Sequence, residues 1–432
     1  VRSPPTAPSA AKTGSAWSSG AARWTLGLLV AINVVSQIDR QIMYILVEPI
    51  RKELELSDGQ IGLLVGLAFA LFHTLAGIPI ARIADRWSRR NLIVACLVIW
   101  SAMTALCGAA RGFAELFFAR MGVGIGEAGC SPSAQSLIAD TFPIEARGRA
   151  IATYQLGVPI GLLIGLAFGG YLADQVGWRS AFFVVGLPGL ILASITRFTL
   201  REPPRGRFET GGRTNADVEP MRDVLRFLWR LVTMRHVLIA ASLQTLTVAA
   251  HGAFNAAFLQ RFHGLSMTEA GISLGLVTGV AGAVGTYSGG WFGDRLGRRD
   301  PRWYIWSPMI GGLGSVPFSV LAYTTSSAKL AVLALAGVVL GSFAYAGVVH
   351  AVTQSLVTSR MRAVTAAVAL FAMNLLGYGG GPYLAGLLSD WLGGPEALRP
   401  ALITMNGVMI WACIHYGWAT RTYRSDLASG HR

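Results

Sequence analysis

Apolar stretches of about 20 residues, enough for a helix to cross the hydrocarbon core of a bilayer, recur along this whole chain. Examples are 24–47, 91–110, 178–196, 236–259 and 328–349, and the pattern predicts twelve such spans. In lipid every backbone N–H and C=O must be satisfied internally, which leaves helices or a closed barrel, and runs of this length read as helices. Only 13% of the 432 residues are charged, against about a quarter in soluble domains. The 52 glycines suit close helix–helix approach in lipid. The expected fold is an all-α membrane protein of twelve transmembrane helices.

The longest polar interruption divides the chain. Residues 201–235 hold Pro203-Pro204, Gly211-Gly212 and most of a run of arginines that begins at Arg197. The predicted organisation is a flexible tail at 1–23, a six-helix bundle at 24–200 and a linker at 201–235. A second bundle at 236–422 and a tail at 423–432 complete it. The halves repeat one unit, as internal periodicity requires one to check. Ala81-Arg-Ile-Ala-Asp85-Arg86-Trp-Ser-Arg89-Arg90 follows the second span, and Gly290-Trp-Phe-Gly-Asp294-Arg295-Leu-Gly-Arg298-Arg299 follows the eighth. The two aspartates are 209 residues apart. Ala146-Arg147-Gly-Arg149-Ala and Ser359-Arg360-Met-Arg362-Ala form a second matched pair. Gly170-Tyr-Leu-Ala-Asp174 and Gly386-Leu-Leu-Ser-Asp390 form a third. Parallel halves of this kind are expected to rock about a site between them, near the bilayer midplane.

The net charge of +14 raises the question of a nucleic-acid partner, and its distribution answers it. With both termini on the cytoplasmic side, only Arg51, Lys52, Arg111, Arg179, Arg261, Lys329 and Arg399 of the 36 Lys and Arg face the opposite side. Two more, Arg40 and Arg120, lie within helices, and all the others are cytoplasmic. That asymmetry is the positive-inside rule, so the basic excess is a topology signal, with anionic lipid as a secondary contact. No nucleic-acid partner is expected, and the chain reads as a monomer of the inner (plasma) membrane. The cysteines Cys96, Cys107, Cys130 and Cys413 all fall in spans and read as buried small hydrophobes. The N-terminal Ala/Ser/Pro-rich tail lacks the apolar core of a signal peptide.

The doubled Gly-x-x-x-Asp-Arg-x-Gly-Arg-Arg loop resembles the signature of the major facilitator superfamily. The second copy matches fully, and the first has Ala81 and Ser88 where the pattern prefers Gly. Four further segments resemble the spinster branch: Ile38-Asp39-Arg40, Ala84-Asp85-Arg86-Trp-Ser-Arg89-Arg90, Arg120-Met-Gly-Val-Gly-Ile-Gly126-Glu127-Ala128 and Trp178-Arg-Ser-Ala-Phe-Phe-Val-Val-Gly-Leu-Pro188-Gly. The resemblance implies a secondary transporter working by alternating access. It also implies an amphipathic, lipid-like solute such as a lysophospholipid, a sphingolipid or a drug. A small polar metabolite or carboxylate is the alternative reading, and an uncoupled lipid scramblase or transporter-like sensor a further one.

Ionisable side chains within spans are costly and usually functional. Asp39, Arg40, Arg120 and Glu127 are the candidates for proton coupling, with Arg40 and Arg120 also able to meet an anionic head group. Asp39 lies about 12 Å from one end of the first span, and Arg120 about 9 Å from the same face in the fourth. An ion pair between them is therefore possible, and Glu127 lies about 10 Å deeper. A carboxylate whose Arg partner comes and goes has a switchable proton affinity. The competing reading is a static Asp39–Arg120 bridge with Glu127 packed beside it. The second half offers His251, Asn255, Tyr345, His350, Asn374 and Tyr378, of which His251, Asn255, Tyr345 and Tyr378 are expected at the substrate. His73, His251 and His350 are either titratable groups or hydrogen-bonded packing residues.

The repeated loops are expected to gate. Asp85, Arg86, Arg89, Arg147, Asp294, Arg295 and Arg298 can cap a neighbouring helix or form Arg–carboxylate forks, or else anchor loops at the headgroups. Gly122-Val-Gly124-Ile-Gly126 lies within a helix and follows no strand, so dinucleotide binding is rejected in favour of close packing. Gly377–Pro382 is expected to bend the eleventh span. No nucleophile–base or metal-ligand constellation is present, so an enzyme is not expected. With no nucleotide-binding domain, no cofactor is expected and the proton gradient is the energy source.

Overall fold

A computed structural model describes residues 19–208, 220–358 and 360–429. Among these residues the chain is helical, with no strand. Ten stretches are long and apolar enough to cross a membrane. One of them, Ile144–Thr199, holds two spans, because Gly177 adopts φ +78° and breaks the helix. That left-handed backbone is open to glycine and costly for other residues. Phe113–Glu127 with Cys130–Thr141 makes a further crossing, which brings the described spans to twelve.

The first half comprises Ser19–Ile45, then Asp58–Val65 with Leu67–Arg86, Arg89–Ala109, Phe113–Glu127 with Cys130–Thr141, and the fifth and sixth spans on either side of Gly177. The second half comprises Val232–His263, Met267–Leu276 running on to Gly282–Gly297, and Trp303–Thr324. Ala328–Ser342 with Ala346–Ser355, Arg362–Ala372 running on to Gly380–Leu392, and Leu398–Ser429 complete it. Between the halves the linker contains a short helix, Met221–Arg230, where the sequence had shown only a polar interruption. The tail before residue 19, residues 209–219 of the linker, Ser359 and residues 430–432 lie outside the described residues, as does the Asp85 side chain.

Two spans of this set carry π-helical turns, Val277–Ala281 in the eighth and Met373–Gly379 in the eleventh. The glycine-rich stretch of the eleventh span thus stays helical with a widened turn, a form that recurs at functional sites. Its glycines serve close approach: a Cβ on Gly377 would collide with Thr245, and one on Gly381 with the Leu246 carbonyl. Gly122, Gly124 and Gly126 likewise abut Met103, Phe69 and Trp100, as the packing reading expected. All four cysteines are free and buried.

The halves meet through two equivalent crossings, the second span on the eleventh and the eighth on the fifth. Gly62 faces the Pro382 carbonyl and Gly271 the Leu166 carbonyl. Gly386 faces the Asp58 carbonyl and Gly170 the Met267 carbonyl. Each would clash on gaining a Cβ, so small residues set the backbone approach in both copies of the crossing. These contacts lie toward the face opposite the Asp-Arg loops, here the far face. The other is the loop face.

Candidate functional site

The first span has one polar stripe. Gln37, Arg40, Gln41 and Tyr44, at helical spacing, line a cavity of about 390 Å³ between the halves. Val65, Phe69, His73 and Arg120 continue the wall in the first half. His251, Asn255, Ser342, Asn374 and Tyr378 face them from the second. Leu162, Leu166, Leu274 and Val338 supply apolar lining. A pocket with a few convergent polar groups on an apolar wall is the ordinary form of a small-molecule site.

The charges converge at one end of it. Arg40 Nε donates to Glu127 Oε2 at 2.6 Å, and Ser36 Oγ donates to the same oxygen at 3.2 Å. The Glu127 side chain is 1% exposed while Arg40 is 31% exposed, so the pair presents its cation to the cavity and keeps its anion behind. Phe69 lies against both guanidiniums, its ring centroid 4.7 Å from Arg40 Cζ and 5.4 Å from Arg120 Cζ. The ring's π face attracts cations and holds two like charges near one another. Arg120 Nε has no hydrogen-bond partner.

The ion pair of the site is therefore Arg40–Glu127, and the Asp39–Arg120 bridge considered from depth alone does not form. Helix rotation decides this. Asp39 points about 100° away from Arg40, toward the third span, where it is buried beside Trp100 with Arg120 and Glu127 as charged neighbours. Neither carboxyl oxygen has a hydrogen-bond partner, nor does Trp100 Nε1 or Glu127 Oε1. Buried polar groups are normally satisfied, and this buried carboxyl, with the Trp100 indole as its polar neighbour, lacks an ordinary hydrogen bond.

The second-half candidates divide. His251, Asn255, Asn374 and Tyr378 line the cavity. Two of them are also tied into packing: His251 Nε2 lies 3.1 Å from the Leu402 carbonyl, and Asn255 Oδ1 accepts from Tyr323 Oη at 2.7 Å. Tyr345 lies outside the lining, with its hydroxyl 2.9 Å from Thr245 Oγ1. His73, stacked on Phe69 at 5.3 Å, belongs to the wall. Gln37, Gln41 and Tyr44 carry no charge to mark them in the sequence, but their helical spacing with Arg40 puts them on its face.

On the loop face, Arg89 is 1% exposed and pairs with Asp140 and with Glu202 Oε1, the latter at 3.0 Å. Glu202 also accepts from Ser88 Oγ at 2.5 Å. Burial works to raise the Glu202 carboxyl, but the Ser88 and Arg89 donors outweigh it and hold it below its ordinary value. Arg147 donates to the Ala139 carbonyl at 2.8 Å. Asp294 accepts from Tyr304 Oη at 2.8 Å, and Arg295 lies over Trp291 at 5.3 Å. Arg86 and Arg298 are exposed. Each of these contacts stays within one half or its own flank.

Among the described residues the polar contacts between halves lie on the far face, and two of them use Asp174 and Asp390, the matched span ends of the repeat. Asp390 accepts from Ser57 Oγ (2.6 Å), Asp58 N (3.0 Å) and Gly59 N (2.9 Å). Asp174 accepts from Met267 N (3.3 Å), Thr268 N (2.7 Å) and Thr268 Oγ1 (2.5 Å). Each aspartate ends one half's span and caps a helix N-terminus of the other half, where free N–H groups and the helix dipole favour an anion. Both capped helices also carry their own capping box, Ser57 with Gln60 and Ser266 with Glu269. Arg261 adds a third tie, to Glu48 Oε2 at 2.7 Å and to Asp58 Oδ2 at 3.0 Å.

Among the described residues no group of three or more His, Cys, Asp or Glu could hold a metal. The sequence model of the Major Facilitator Superfamily matches residues 29–382. An MFS-type efflux pump of Mycolicibacterium smegmatis is 34% identical over 413 residues, covering 93% of each chain. Protein spinster homolog 1 of Homo sapiens is 26% identical over 398 residues, covering 87% of this chain and 74% of that protein. The crystal structure of a bacterial homolog of the human lysosomal transporter Spinster, in an inward-facing and unoccupied conformation, superposes with a TM-score of 0.88. It is 31% identical, and the match covers 95% of this chain and 99% of that one.

Proposed function

The chain belongs to the major facilitator superfamily, and from that membership we propose that it is a proton-coupled secondary transporter of amphipathic anions. The halves rock about the central cavity, with the loop face cytoplasmic and both termini inside. The observation that carries this reading is the Arg40–Glu127 pair at the cavity wall with Asp39 buried and unpaired behind it. An anionic head group entering beside Arg40 competes with Glu127 for the guanidinium. Glu127 is thereby released from its cationic partner, and it is the proton-coupling carboxylate of this reading. Solute and proton are then linked through one arginine. Arg120, buried and with Nε unpartnered, is placed to take up the charge of Asp39 when that carboxyl ionises. Leu162, Leu166, Leu274 and Val338 form the wall for an apolar body. The kinship to an efflux pump and to spinster proteins supports a solute of that kind.

Flux into proteoliposomes, with and without an imposed pH gradient, tests the coupling. Lysophosphatidylglycerol serves as the amphipathic probe and galactonate as a polar anion. Asp39→Asn and Glu127→Gln are expected to abolish gradient-driven uptake, a loss of at least about tenfold for about 1.4 kcal/mol of coupling, while leaving solute exchange without a gradient. Gradient-driven uptake that survives both substitutions would refute the proposal. Uptake of galactonate alone would move the substrate to a small carboxylate.

A further inference from the structure

The helix Met221–Arg230 carries three stripes at i, i+4 spacing. Val224 and Leu228 are buried, at 0% and 4% exposure, in the core at the loop-face end of the second half. Beside them run Met221, Leu225 and Trp229, which are 56%, 45% and 71% exposed. Next around the helix come Arg222, Arg226 and Arg230. Arg226 reaches Asp223 at 3.3 Å in an exposed pair. Arg222 and Arg230 form no ion pair among the described residues. The protein thus covers one apolar stripe and leaves a second, rimmed by a line of arginines.

One residue, Leu231, separates the helix from the seventh span, which begins at Val232, so the helix adjoins the loop-face end of that span. Trp24, Trp87 and Trp291, at loop-face ends of the first, second and eighth spans, are 51%, 48% and 44% exposed, as expected of an interfacial aromatic belt. Trp229 stands at the same boundary, with Arg235 Cζ 5.8 Å from its ring centroid. An exposed apolar stripe beside a basic stripe is the pattern of an interfacial helix, which sinks its apolar side to the acyl boundary. The arginines then meet negative headgroups.

We infer that Met221–Arg230 is a docking surface for anionic phospholipid of the loop-side leaflet. Met221, Leu225 and Trp229 contact the acyl chains, and Arg222, Arg226 and Arg230 the phosphate. Arginine's planar fork suits a phosphodiester. Because one residue joins this helix to the seventh span, a lipid held here fixes the loop-face end of the second half to the bilayer.

The experiment uses the full chain in detergent and compares retention of phosphatidylglycerol and phosphatidylcholine by native mass spectrometry. Replacing Arg222, Arg226 and Arg230 together with Gln is expected to weaken phosphatidylglycerol retention by about fivefold per arginine, with phosphatidylcholine unchanged. Replacing the three with Lys is expected to keep most of the preference. Leu225→Ser with Trp229→Ser is expected to lower retention of both lipids. An unchanged melting temperature in phosphatidylcholine nanodiscs shows that each variant folds. If the Gln variant folds and keeps the wild-type preference for phosphatidylglycerol, the inference is overturned. A wild-type protein with no such preference also overturns it. Neither result bears on solute transport, so the coupling proposal stands or falls separately.

Discussion

The two faces of the bundle place their charges in opposite ways. On the far face, acids and bases from different halves meet: Arg261 holds Glu48 and Asp58, and Asp174 and Asp390 each cap a helix across the interface. On the loop face, the ion pairs among the described residues join groups of the same half or its flanking linker, as with Arg89 to Asp140 and Glu202 or Arg424 to Asp300. The far-face pairs therefore choose between conformations, because they must break for the halves to part there. In this conformation the loop-face pairs stiffen each half as a body and tie neither half to the other. A ligand or substitution shifts such an equilibrium only by what it does differently to the two states, which makes the far face the place to look for control.

The sharpest way to break the comparison is to remove one arginine from each face. Arg261→Ala leaves two carboxylates, Glu48 and Asp58, with side chains 3% and 0% exposed. Glu48 keeps Arg51 and Lys52 while Asp58 loses its arginine, and breaking a buried pair in this way costs about 3 kcal/mol, felt in the closed far face. Spin labels replacing Lys52 and Lys329 are expected to move apart, and labels replacing Arg86 and Arg298 to approach. Arg89→Ala costs about 2–3 kcal/mol, less because Asp140 and Glu202 are partly exposed. It is expected to lower the melting temperature and leave both label distances unchanged. If Arg89→Ala moves the far-face labels as much as Arg261→Ala does, the division of roles is wrong.

A smaller effect tests whether the two aspartate caps are equivalent. Asp174→Ala and Asp390→Ala each remove a side chain that satisfies helix N-terminal donors of the other half, worth about 1 kcal/mol per cap. Each alone is expected to raise the open far-face population about fivefold by the same label distances. The double variant is expected to exceed either one, because the sites are separate and additivity applies. A double variant no more open than the singles would mean that one cap carries the closure.

Much of this arrangement was legible in the chain, and the unread part has a physical cause. The spans showed because lipid demands unbroken apolar helices. Arg40 and Glu127 stood out because charge within a span is rare. Their pairing was not legible: depth along an axis can be counted from sequence, but the rotation that turns Arg40 to the cavity and Asp39 to the third span is set by packing. Asp174 and Asp390 were visible as matched ends of a repeat. Their partners, however, lie 93 to 94 and 331 to 333 residues away, on helices whose approach depends on glycines such as Gly62 and Gly271. The duplication also misled in one respect. Asp58 corresponds to Met267 at the 209-residue offset of the repeated loops, so Arg261 grips acids of the first half for which the second half holds no twin.

That asymmetry gives the weakest but most specific test of the far face, its response to acid. Burial works to raise the Glu48 carboxyl, yet the hydrogen bond from Arg51 and the charge and hydrogen bonds of Arg261 outweigh it and hold it below its ordinary value of 4.5. When the face opens Glu48 keeps Arg51 and Lys52 of its own helix and loses Arg261, so the carboxyl is lowered further in the closed face and binds fewer protons there. Closure is then fully supported above pH 4.5 and weakens as the pH falls below that value toward the lowered one. Far-face label distances should be constant from pH 8 to 5 and lengthen only below about 4.5, with a shift worth a fraction of the Arg261→Ala effect. Glu48→Gln should flatten the acid response and open the face slightly at neutral pH. If the wild-type distances lengthen between pH 7 and 6 instead, a group other than Glu48 governs the far face, and Arg261 is a structural tie with no proton dependence of its own.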